Sequence, residues 1–349
     1  MLLNQICITK TPKKMKKLNL LLLGFLFAAL FVTSCKKDDE TEPTPTVNES
    51  EVLATYLEST ASPAGKDYVN TDLPSIMSAT EVKTLNETNQ VYIIDIRSAA
   101  DFATGHIANA HNVAIADLVT HIKTVDMNAY TKVAIVCYTG QTAGWATSIL
   151  RILGYSKCFS MKWGMCSWNE AFASKWNTAI ANGNAYASQF VGTPTDKGAK
   201  GTMPTLTTGK STGADILAAR VTALLTEGFT PATISNANVF AALSNYYIIN
   251  YWPAGQYADP GHIPGAMQYE PKQTLKLAAD LKTLPTNKTI VVYCYTGQTS
   301  AFLAAYLRLL GYDAKSLLYG ANGMIYDKMV EKGMTTFKAS EIMGYDFVQ

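Results

Sequence analysis

Short apolar runs alternate with longer helical patterns along most of the chain. The runs are rich in β-branched residues, as at 91–95, which is typical of strands buried on both faces of a sheet. Strands are predicted at 91–95, 133–136, 157–161, 246–250 and 289–293, and helices near 78–86, 142–153, 168–176 and 214–225. The alternation predicts an α/β fold in which parallel sheets carry helices on both faces.

The whole pattern occurs twice. The phrase Cys-Tyr-Thr-Gly-Gln-Thr at 137–142 recurs letter for letter at 294–299, 157 residues later. Other markers recur at separations of 155 and 156 residues, namely Asp95 with Asn250 and His106 with His262. A register that holds over a whole domain indicates a tandem duplication rather than a short-period repeat.

A change of composition separates the two copies. Residues 182–213 are rich in Gly, Thr, Lys and Pro and have almost no apolar clustering, which is typical of a linker or a long surface excursion. The sequence therefore predicts a first domain at 51–181, a linker at 182–213 and a second domain at 214–349.

Each copy of the repeated phrase places a cysteine between a predicted strand and a predicted helix. There the first free N–H groups and the positive end of the helix dipole converge, which favours the nucleophilic thiolate. A glycine in the loop lets the backbone turn back towards the sulfur. A lone free cysteine is most often a buried structural residue. Because the same loop carries it twice, Cys137 and Cys294 are predicted to be catalytic or sulfur-binding.

Together these markers resemble the rhodanese family, and two copies in one chain resemble its tandem sulfurtransferases. The resemblance rests on Asp-x-Arg after a buried strand, Phe-x-x-x-His-Ile, and strand–Cys-x-x-Gly-x-Thr–helix, over residues 76–180 and 230–338. It implies two rhodanese-like domains and sulfane sulfur carried as a persulfide on Cys137 and Cys294. It also implies a small sulfur donor and a thiol acceptor as partners, with no cofactor and no metal.

The resemblance further implies that the rest of each loop shapes the sulfur site. N–H groups of a six-residue loop would point at the terminal sulfur, and Thr142 and Thr299 would cap the following helix or hydrogen-bond the sulfur. The related cell-cycle phosphatases have a seven-residue loop that ends in arginine, which suits phosphate, whereas Ala143 and Ser300 occupy the seventh position here and no arginine is present. The predicted loop residues are Tyr138, Thr139, Gly140, Gln141, Thr142, Tyr295, Thr296, Gly297, Gln298 and Thr299.

The chain departs from the thiosulfate-type enzymes of that family. Their loops carry basic residues beside the cysteine and these loops carry none, which argues against thiosulfate as donor. The second copy has Trp252 where the first has Arg97. Arg97 is expected either to orient substrate or to pair with a carboxylate such as Asp101, and a guanidinium at the pocket would lower the pKa of Cys137.

The first residues carry a separate signal. A basic stretch at 13–17 precedes an apolar run of 13 residues at 20–32, which is too short for a comfortable membrane span. Val32-Thr33-Ser34-Cys35 then resembles the lipobox of bacterial lipoproteins, with an ordinary signal peptide or a membrane anchor as alternatives. We expect a signal peptide at 1–34, lipidation at Cys35 and a flexible tether at 35–50.

Lipidation would hold the protein in the cell envelope, on the bacterial membrane through the lipid alone. The sequence Lys36-Lys37-Asp38-Asp39-Glu40 resembles an export tag that some Gram-negative lineages use to send lipoproteins to the cell surface. The alternative is a solvated start of the tether. The expected location is the outer membrane, facing either the periplasm or the surface.

Charge and cysteine count narrow the function further. The 349 residues carry a formal net charge of +2, but five lysines and no acids precede Cys35, so residues 35–349 carry 24 basic and 27 acidic side chains. The resulting net of −3 leaves no basic stripe and argues against a nucleic-acid partner. Three functions remain: a persulfide-based sulfurtransferase, a non-catalytic binding or regulatory module, and a thiol-redox protein in which Cys166 resolves an oxidised Cys137.

Overall fold

The computed structural model describes residues 48–349, so the predicted signal peptide, Cys35 and most of the predicted tether lie outside the described residues. The strands are β1 (Ile76–Met77), β2 (Val91–Asp95), β3 (Ala110–Asn112), β4 (Lys132–Val136), β5 (Cys158–Met161), β6 (Thr233–Ile234), β7 (Tyr246–Asn250), β8 (Met267–Gln268), β9 (Thr289–Tyr293) and β10 (Ala314–Leu317). The α-helices are α1 (Glu49–Leu57), α2 (Tyr68–Thr71), α3 (Ala79–Glu87), α4 (Ala99–Ala103), α5 (Leu118–Ile122), α6 (Gln141–Ile152), α7 (Met165–Trp168), α8 (Ser174–Ala181), α9 (Gly213–Glu227), α10 (Asn236–Ala241), α11 (Ala254–Ala258), α12 (Gln298–Leu309) and α13 (Tyr326–Glu331). Short 3-10 helices lie at Ile115–Asp117, Glu170–Phe172, Ala187–Gln189, Thr230–Ala232, Leu243–Asn245, Leu281–Thr283, Gly320–Gly323 and Ala339–Glu341. Within 48–349, no helix is both long and apolar enough to cross a membrane.

The strands form two five-stranded parallel sheets of the same topology, in the orders β1-β5-β4-β2-β3 and β6-β10-β9-β7-β8. Neighbouring residues of the central strands face different hydrophobic clusters, as Ala134 and Ile135 do in β4, and Val291 and Val292 in β9. Both faces of each sheet are therefore covered. The predicted α/β fold with two parallel-sheet domains is confirmed.

The helices that follow the two cysteine loops pack against each other and join the repeats. Gly144 in α6 permits the approach, because a Cβ there would lie 3.0 Å from the backbone oxygen of Gln298 and 3.1 Å from the Phe302 ring. Ser148 Oγ donates to the backbone oxygen of Phe302 at 2.9 Å. A single hydrophobic cluster takes in residues of α6, α9 and α12, so the two repeats share one core.

Segments outside the sheets also cross between the repeats. At the start of α1, Ser50 Oγ donates to the backbone oxygen of Leu310 at 2.6 Å, beside the end of α12. Near the other end, Val348 forms an antiparallel bridge with His106 of the first repeat. Residues 182–213 contact the second repeat, where Val191 bridges His262. The sheets are thus held together by more than the α6–α12 contact.

One predicted helix is divided. The pattern predicts a single helix near 168–176, whereas the structure has α7, a 3-10 turn and α8. Asn169 makes the division, with extended backbone at φ −150° and ψ 150°. Its Oδ1 accepts the backbone N–H of Ala171 at 3.0 Å. An asparagine side chain that bonds nearby backbone competes with the helix in this way.

Candidate active sites

Both cysteines lie at the carboxyl end of the middle strand of a sheet. Cys137 follows β4 directly and Cys294 follows β9, and α6 and α12 begin four residues after them. Gly140 and Gly297 are the N-cap residues, with φ of 83° and 79°. This left-handed conformation is open to glycine and turns each loop back over its sulfur.

Each sulfur receives a backbone N–H from the residue six positions later. Ala143 N lies 3.3 Å from Sγ of Cys137, and Ser300 N lies 3.3 Å from Sγ of Cys294. The two cysteines are only 4% and 2% exposed. A negative charge on either sulfur would therefore meet N–H donors from the first turn of a 12-residue helix.

The environment of Cys137 disfavours its thiolate. Burial raises the pKa of Cys137, and the carboxylate of Asp95 adds to the rise. The backbone N–H groups of Ala143, Thr139 and Gly140 oppose it without overcoming burial, which removes the hydration of the ionised sulfur. The expectation that this loop favours the thiolate at rest is therefore wrong for Cys137.

Arg97 pairs with Asp95 rather than with Asp101. Its Nη2 lies 2.6 Å from one carboxylate oxygen of Asp95, and its Nε lies 3.0 Å from both. Nη2 also donates to the backbone oxygen of Gly105 at 2.8 Å. Asp101 instead accepts the hydroxyl of Tyr138 at 3.3 Å. The guanidinium is thus held on the Asp95 carboxylate, and of this pair it is Asp95 that acts on Cys137, by raising its pKa, so the expected lowering by Arg97 does not occur.

The predicted threonine caps are not formed. Neither α6 nor α12 has a side-chain N-cap bond, and both helices begin one residue before Thr142 and Thr299. Each of these threonines therefore lies inside the first turn. The threonines earlier in the loops bond differently from each other: Thr139 Oγ1 accepts from the side-chain Nε2 of Gln141 at 3.1 Å, and Thr296 Oγ1 accepts the backbone N–H of Gln298 at 3.1 Å.

The loop glutamines reach across to the opposite repeat. Gln141 Oε1 accepts the backbone N–H of Tyr319 at 2.8 Å, and Gln298 Oε1 accepts that of Trp163 at 3.1 Å. Gln298 Nε2 also donates to the backbone oxygen of Gly140 at 3.2 Å, inside the first cysteine loop. Both side chains are buried. The first sulfur loop is thus braced by Gln298 of the second, whereas Gln141 bonds the segment that follows β10 of the second repeat.

Two glycines that sequence reasoning missed support the loops from below. A Cβ at Gly164 would lie 2.3 Å from the backbone oxygen of Cys137, and one at Gly320 would lie 2.4 Å from that of Cys294. Both have positive φ, 59° and 53°, so no other residue fits easily. Their separation of 156 residues, which matches the repeat, is the signal that could have identified them.

Each cysteine opens into its own pocket between the repeats. The pocket at Cys137 has a volume of about 270 Å³ and the pocket at Cys294 about 370 Å³. Sequence reasoning missed that part of each wall comes from the opposite repeat. The second repeat supplies Phe229, Thr230, Thr233, Leu318 and Tyr319 to the first pocket, and the first repeat supplies Leu73, Pro74, Ile76 and Lys162 to the second.

Basic groups reach the pockets from outside the loops. Lys175 of α8 lines the first pocket, with Nζ 4.1 Å from the centre of the Tyr138 ring. Lys162 and Lys272 line the second, where Lys162 Nζ pairs with Glu341 at 3.2 Å. The argument against thiosulfate from the loops alone therefore loses force, because the tertiary structure supplies cations that the loops lack.

Neither a metal centre nor a disulfide is formed by the described residues. In 48–349 no group of three or more His, Cys, Asp or Glu side chains is placed to hold a metal ion. The four cysteines in this part of the chain are free. Cys166 Sγ donates to the backbone oxygen of Phe172 at 3.1 Å, and burial raises its pKa to about 12. Cys166 is therefore a buried thiol held by its own hydrogen bond.

Comparisons with known proteins match the repeat. A family model described as "Rhodanese-like domain" matches residues 78–171 and 242–324. The curated thiosulfate sulfurtransferase GlpE of Shewanella oneidensis is 31% identical over 97 residues, which are 28% of this chain and 94% of that protein. The adenylyltransferase and sulfurtransferase uba4 of Ogataea parapolymorpha is 24% identical over 89 residues, 26% of this chain and 23% of that protein.

Two solved structures align over much of the chain. The thiosulfate sulfurtransferase of Pseudomonas aeruginosa is 15% identical, with 84% of this chain and 49% of that one covered and a TM-score of 0.27. The Escherichia coli 3-mercaptopyruvate sulfotransferase SseA is 18% identical, with 71% and 98% covered and a TM-score of 0.25.

Removing the glutamine brace should impair the cysteine of the other repeat. Gln298→Leu leaves the N–H of Trp163 and the oxygen of Gly140 without their partner, and a loop displaced by about 1 Å can cost on the order of 10²-fold in rate. In a Cys294→Ser background we expect the rate of sulfur uptake at Cys137, measured by mass spectrometry, to fall at least about tenfold. Gln189→Leu, the same change at an exposed glutamine, is the control. An unchanged rate at Cys137 would show that the brace is dispensable.

The raised pKa of Cys137 predicts a steep pH dependence. Below its pKa, the thiolate fraction of a cysteine rises about tenfold per pH unit. We therefore expect alkylation of Cys137 by iodoacetamide, in Cys294→Ser, to keep rising from about pH 6 to 8.5 without levelling off. N-acetylcysteine measured in parallel corrects for the reagent. A plateau below about pH 8 would mean that the N–H groups outweigh burial.

Proposed function

Because the chain belongs to the rhodanese-like family, we propose that it is a sulfurtransferase that carries sulfane sulfur as a persulfide on Cys137 and Cys294. One observation carries the proposal. In both repeats the cysteine lies at the base of a pocket, with its sulfur 3.3 Å from a backbone N–H in the first turn of the following helix. A curated relative named thiosulfate sulfurtransferase supports the reaction class.

The reaction is a pair of displacements at sulfur. The cysteine thiolate attacks the terminal sulfur of a donor R–S–SH, a bond forms between the two sulfurs, and RS⁻ leaves with the electron pair of the broken S–S bond. An acceptor thiolate R′S⁻ then attacks the outer sulfur of Cys–S–SH, giving R′–S–SH and the cysteine thiolate. No oxidant or reductant is consumed, because each step exchanges one S–S bond for another.

The loops suit the charge that develops in these steps. A negative outer sulfur would lie over the first turn of α6 or α12, where unpaired N–H groups and the helix dipole stabilise an anion. Gly140 and Gly297 hold the loop backbone in the left-handed turn that this arrangement needs. The protein supplies a buried, N–H-lined position for the transferred sulfur, and the substrates supply the leaving groups.

The redox alternative has less support. The thiol of Cys166 donates to the backbone oxygen of Phe172 at 3.1 Å, and Cys137 and Cys166 are both free thiols. A non-catalytic binding module would use the same pockets without transferring sulfur. Formation of the persulfide separates that function from the one proposed.

Sulfur loading should depend on the two loop cysteines. After treatment with a set of sulfur donors, we expect the wild type to gain one sulfur atom on each of Cys137 and Cys294. The double variant Cys137→Ser/Cys294→Ser should lose transfer activity by at least about 10³-fold, as expected when a nucleophile is removed. Cys166→Ser is the matched control and should load normally. Wild-type transfer by the double variant would remove both loops from the mechanism.

We also propose that Cys35 is lipidated and anchors the protein in the cell envelope, on the basis of the sequence from Val32 to Cys35. In Cys35→Ala we expect the protein to move from the membrane fraction to the soluble fraction, because a single residue carries the lipid. Cys7→Ala, a second cysteine of the leader region, should stay with the membrane. A Cys35→Ala protein that sediments with the membrane as wild type does would overturn the lipid anchor.

A further inference from the structure

The two cysteine loops are identical, yet the walls that face them are not. The walls are built from equivalent segments of the opposite repeat, 157 residues apart in the chain. Leu73 and Ile76 line the pocket of Cys294, and at the equivalent positions Thr230 and Thr233 line the pocket of Cys137. The second pocket therefore has two aliphatic side chains where the first has two hydroxyls.

The surroundings of the loop tyrosine that lines each pocket differ in the same sense. Beside Tyr138 the first repeat has the Arg97 guanidinium, 5.1 Å from the ring centre. At the equivalent place Trp252 stacks on Tyr295, with ring centres 5.4 Å apart and planes 14° apart. The hydroxyl of Tyr138 donates to the carboxylate of Asp101, and that of Tyr295 donates to the neutral amide oxygen of Gln256. Each exchange makes the second pocket less polar than the first.

The charges at the second pocket do not cancel this difference. Lys162 lines it, where Leu318 lines the first, but its ammonium is paired with Glu341 and lies 5.1 Å from the Trp163 ring. Lys272 is exposed at the rim. Lys175 at the first pocket is also exposed, and neither it nor Lys272 forms a salt bridge with any residue of 48–349, so these two lysines do not distinguish the pockets.

We propose that the two cysteines serve different sulfur compounds, and that the wall from the opposite repeat makes the choice. Cys294 exchanges sulfur with organic thiols and persulfides that carry an apolar chain of several carbons. Cys137 exchanges sulfur with small polar or charged ones. This assignment rests on the proposed sulfurtransferase function and adds the substrate class of each site. Ile76 and Thr233 are the specificity-determining positions, because they occupy the same place in the two walls.

The length of the alkyl chain of the sulfur compound provides a direct measure of the difference between the two pockets. Burial of one methylene is worth about 0.8 kcal/mol, or about a fourfold change in an equilibrium or rate. A compound whose chain lies against Leu73 and Ile76 should therefore react about fourfold faster for each added carbon until the pocket is filled. A compound in the pocket of Cys137, which meets Thr230 and Thr233, should gain little.

The test uses reagents that report on the pockets without any sulfur transfer. Alkyl methanethiosulfonates from methyl to hexyl label a cysteine by forming a disulfide as methanesulfinate leaves. Labelling rates at Cys294 in Cys137→Ser and at Cys137 in Cys294→Ser are measured on the full chain by mass spectrometry, relative to the methyl reagent. This ratio removes the intrinsic reactivity of each thiol from the comparison. We expect a rise of about fourfold per carbon at Cys294 and a nearly flat series at Cys137.

Exchanging the wall should exchange the preference. Ile76→Thr, in the first repeat, should reduce the increase in labelling rate per added carbon at Cys294. Thr233→Ile, in the second repeat, should enlarge that increase at Cys137. Neither residue is fully buried, so both variants are expected to fold. Equal slopes at the two cysteines, or slopes that the exchanges leave unchanged, would overturn the inference.

A second measurement separates this inference from the function on which it rests. Persulfide-loaded single-cysteine variants are mixed with n-alkyl thiols of the same lengths, and the sulfur transferred is quantified. The same order of slopes supports the substrate assignment. If both cysteines form persulfides but transfer sulfur with equal slopes against thiol chain length, only the substrate assignment is overturned. If neither cysteine loads with any donor, the sulfurtransferase function fails, and the substrate assignment fails with it, whatever the labelling slopes show.

Discussion

The close packing of α6 on α12 is the constraint on which the rest of the structure depends. Gly144 allows the two helices to approach until Phe302 and the carbonyl of Gln298 fill the space where a side chain would stand. Because each helix starts in a cysteine loop, this one contact sets the position of both sulfurs. It also brings Gln141 and Gln298 within reach of the opposite repeat, where they bond buried backbone groups. The repeats could not separate without leaving those groups unsatisfied.

Burial and hydrogen bonding act on the sulfur in opposite directions. The interior disfavours an ionised Cys137, while the N–H groups of its loop favour it, and burial is the larger effect. In the proposed persulfide the charge would lie one atom further from the cysteine, over the first turn of the helix. The loop that disfavours the thiolate would then favour the charge of the proposed persulfide. Arg97 contributes no net charge to this balance, since Asp95 holds it in a fork of hydrogen bonds.

Duplication produced two identical loops in unlike surroundings. Each pocket takes its wall from the other repeat, so a change in one repeat alters the site of its neighbour. Thr233 and Ile76 illustrate this, because they are equivalent residues at the edges of equivalent sheets and yet face different cysteines. The two loops can therefore remain identical in sequence while the side chains of the two pocket walls differ. Two sites in one chain then differ through residues that neither loop contains.

The sequence by itself determined five of the ten strands in residues 48–349, the main helices, the tandem register and the two cysteine loops. These follow from local properties: the period of apolar residues, and glycines that permit a left-handed turn. Tertiary structure alone decided the rest. The sequence allowed Arg97 either to orient substrate or to pair with a carboxylate, and in the folded protein it pairs with Asp95. The sequence allowed Thr142 as a helix cap, but α6 begins one residue before it, at Gln141. The pKa of Cys137 depends on burial. Each pocket wall depends on residues of the opposite repeat that lie more than 90 positions from the cysteine they face, so no local pattern could have revealed either.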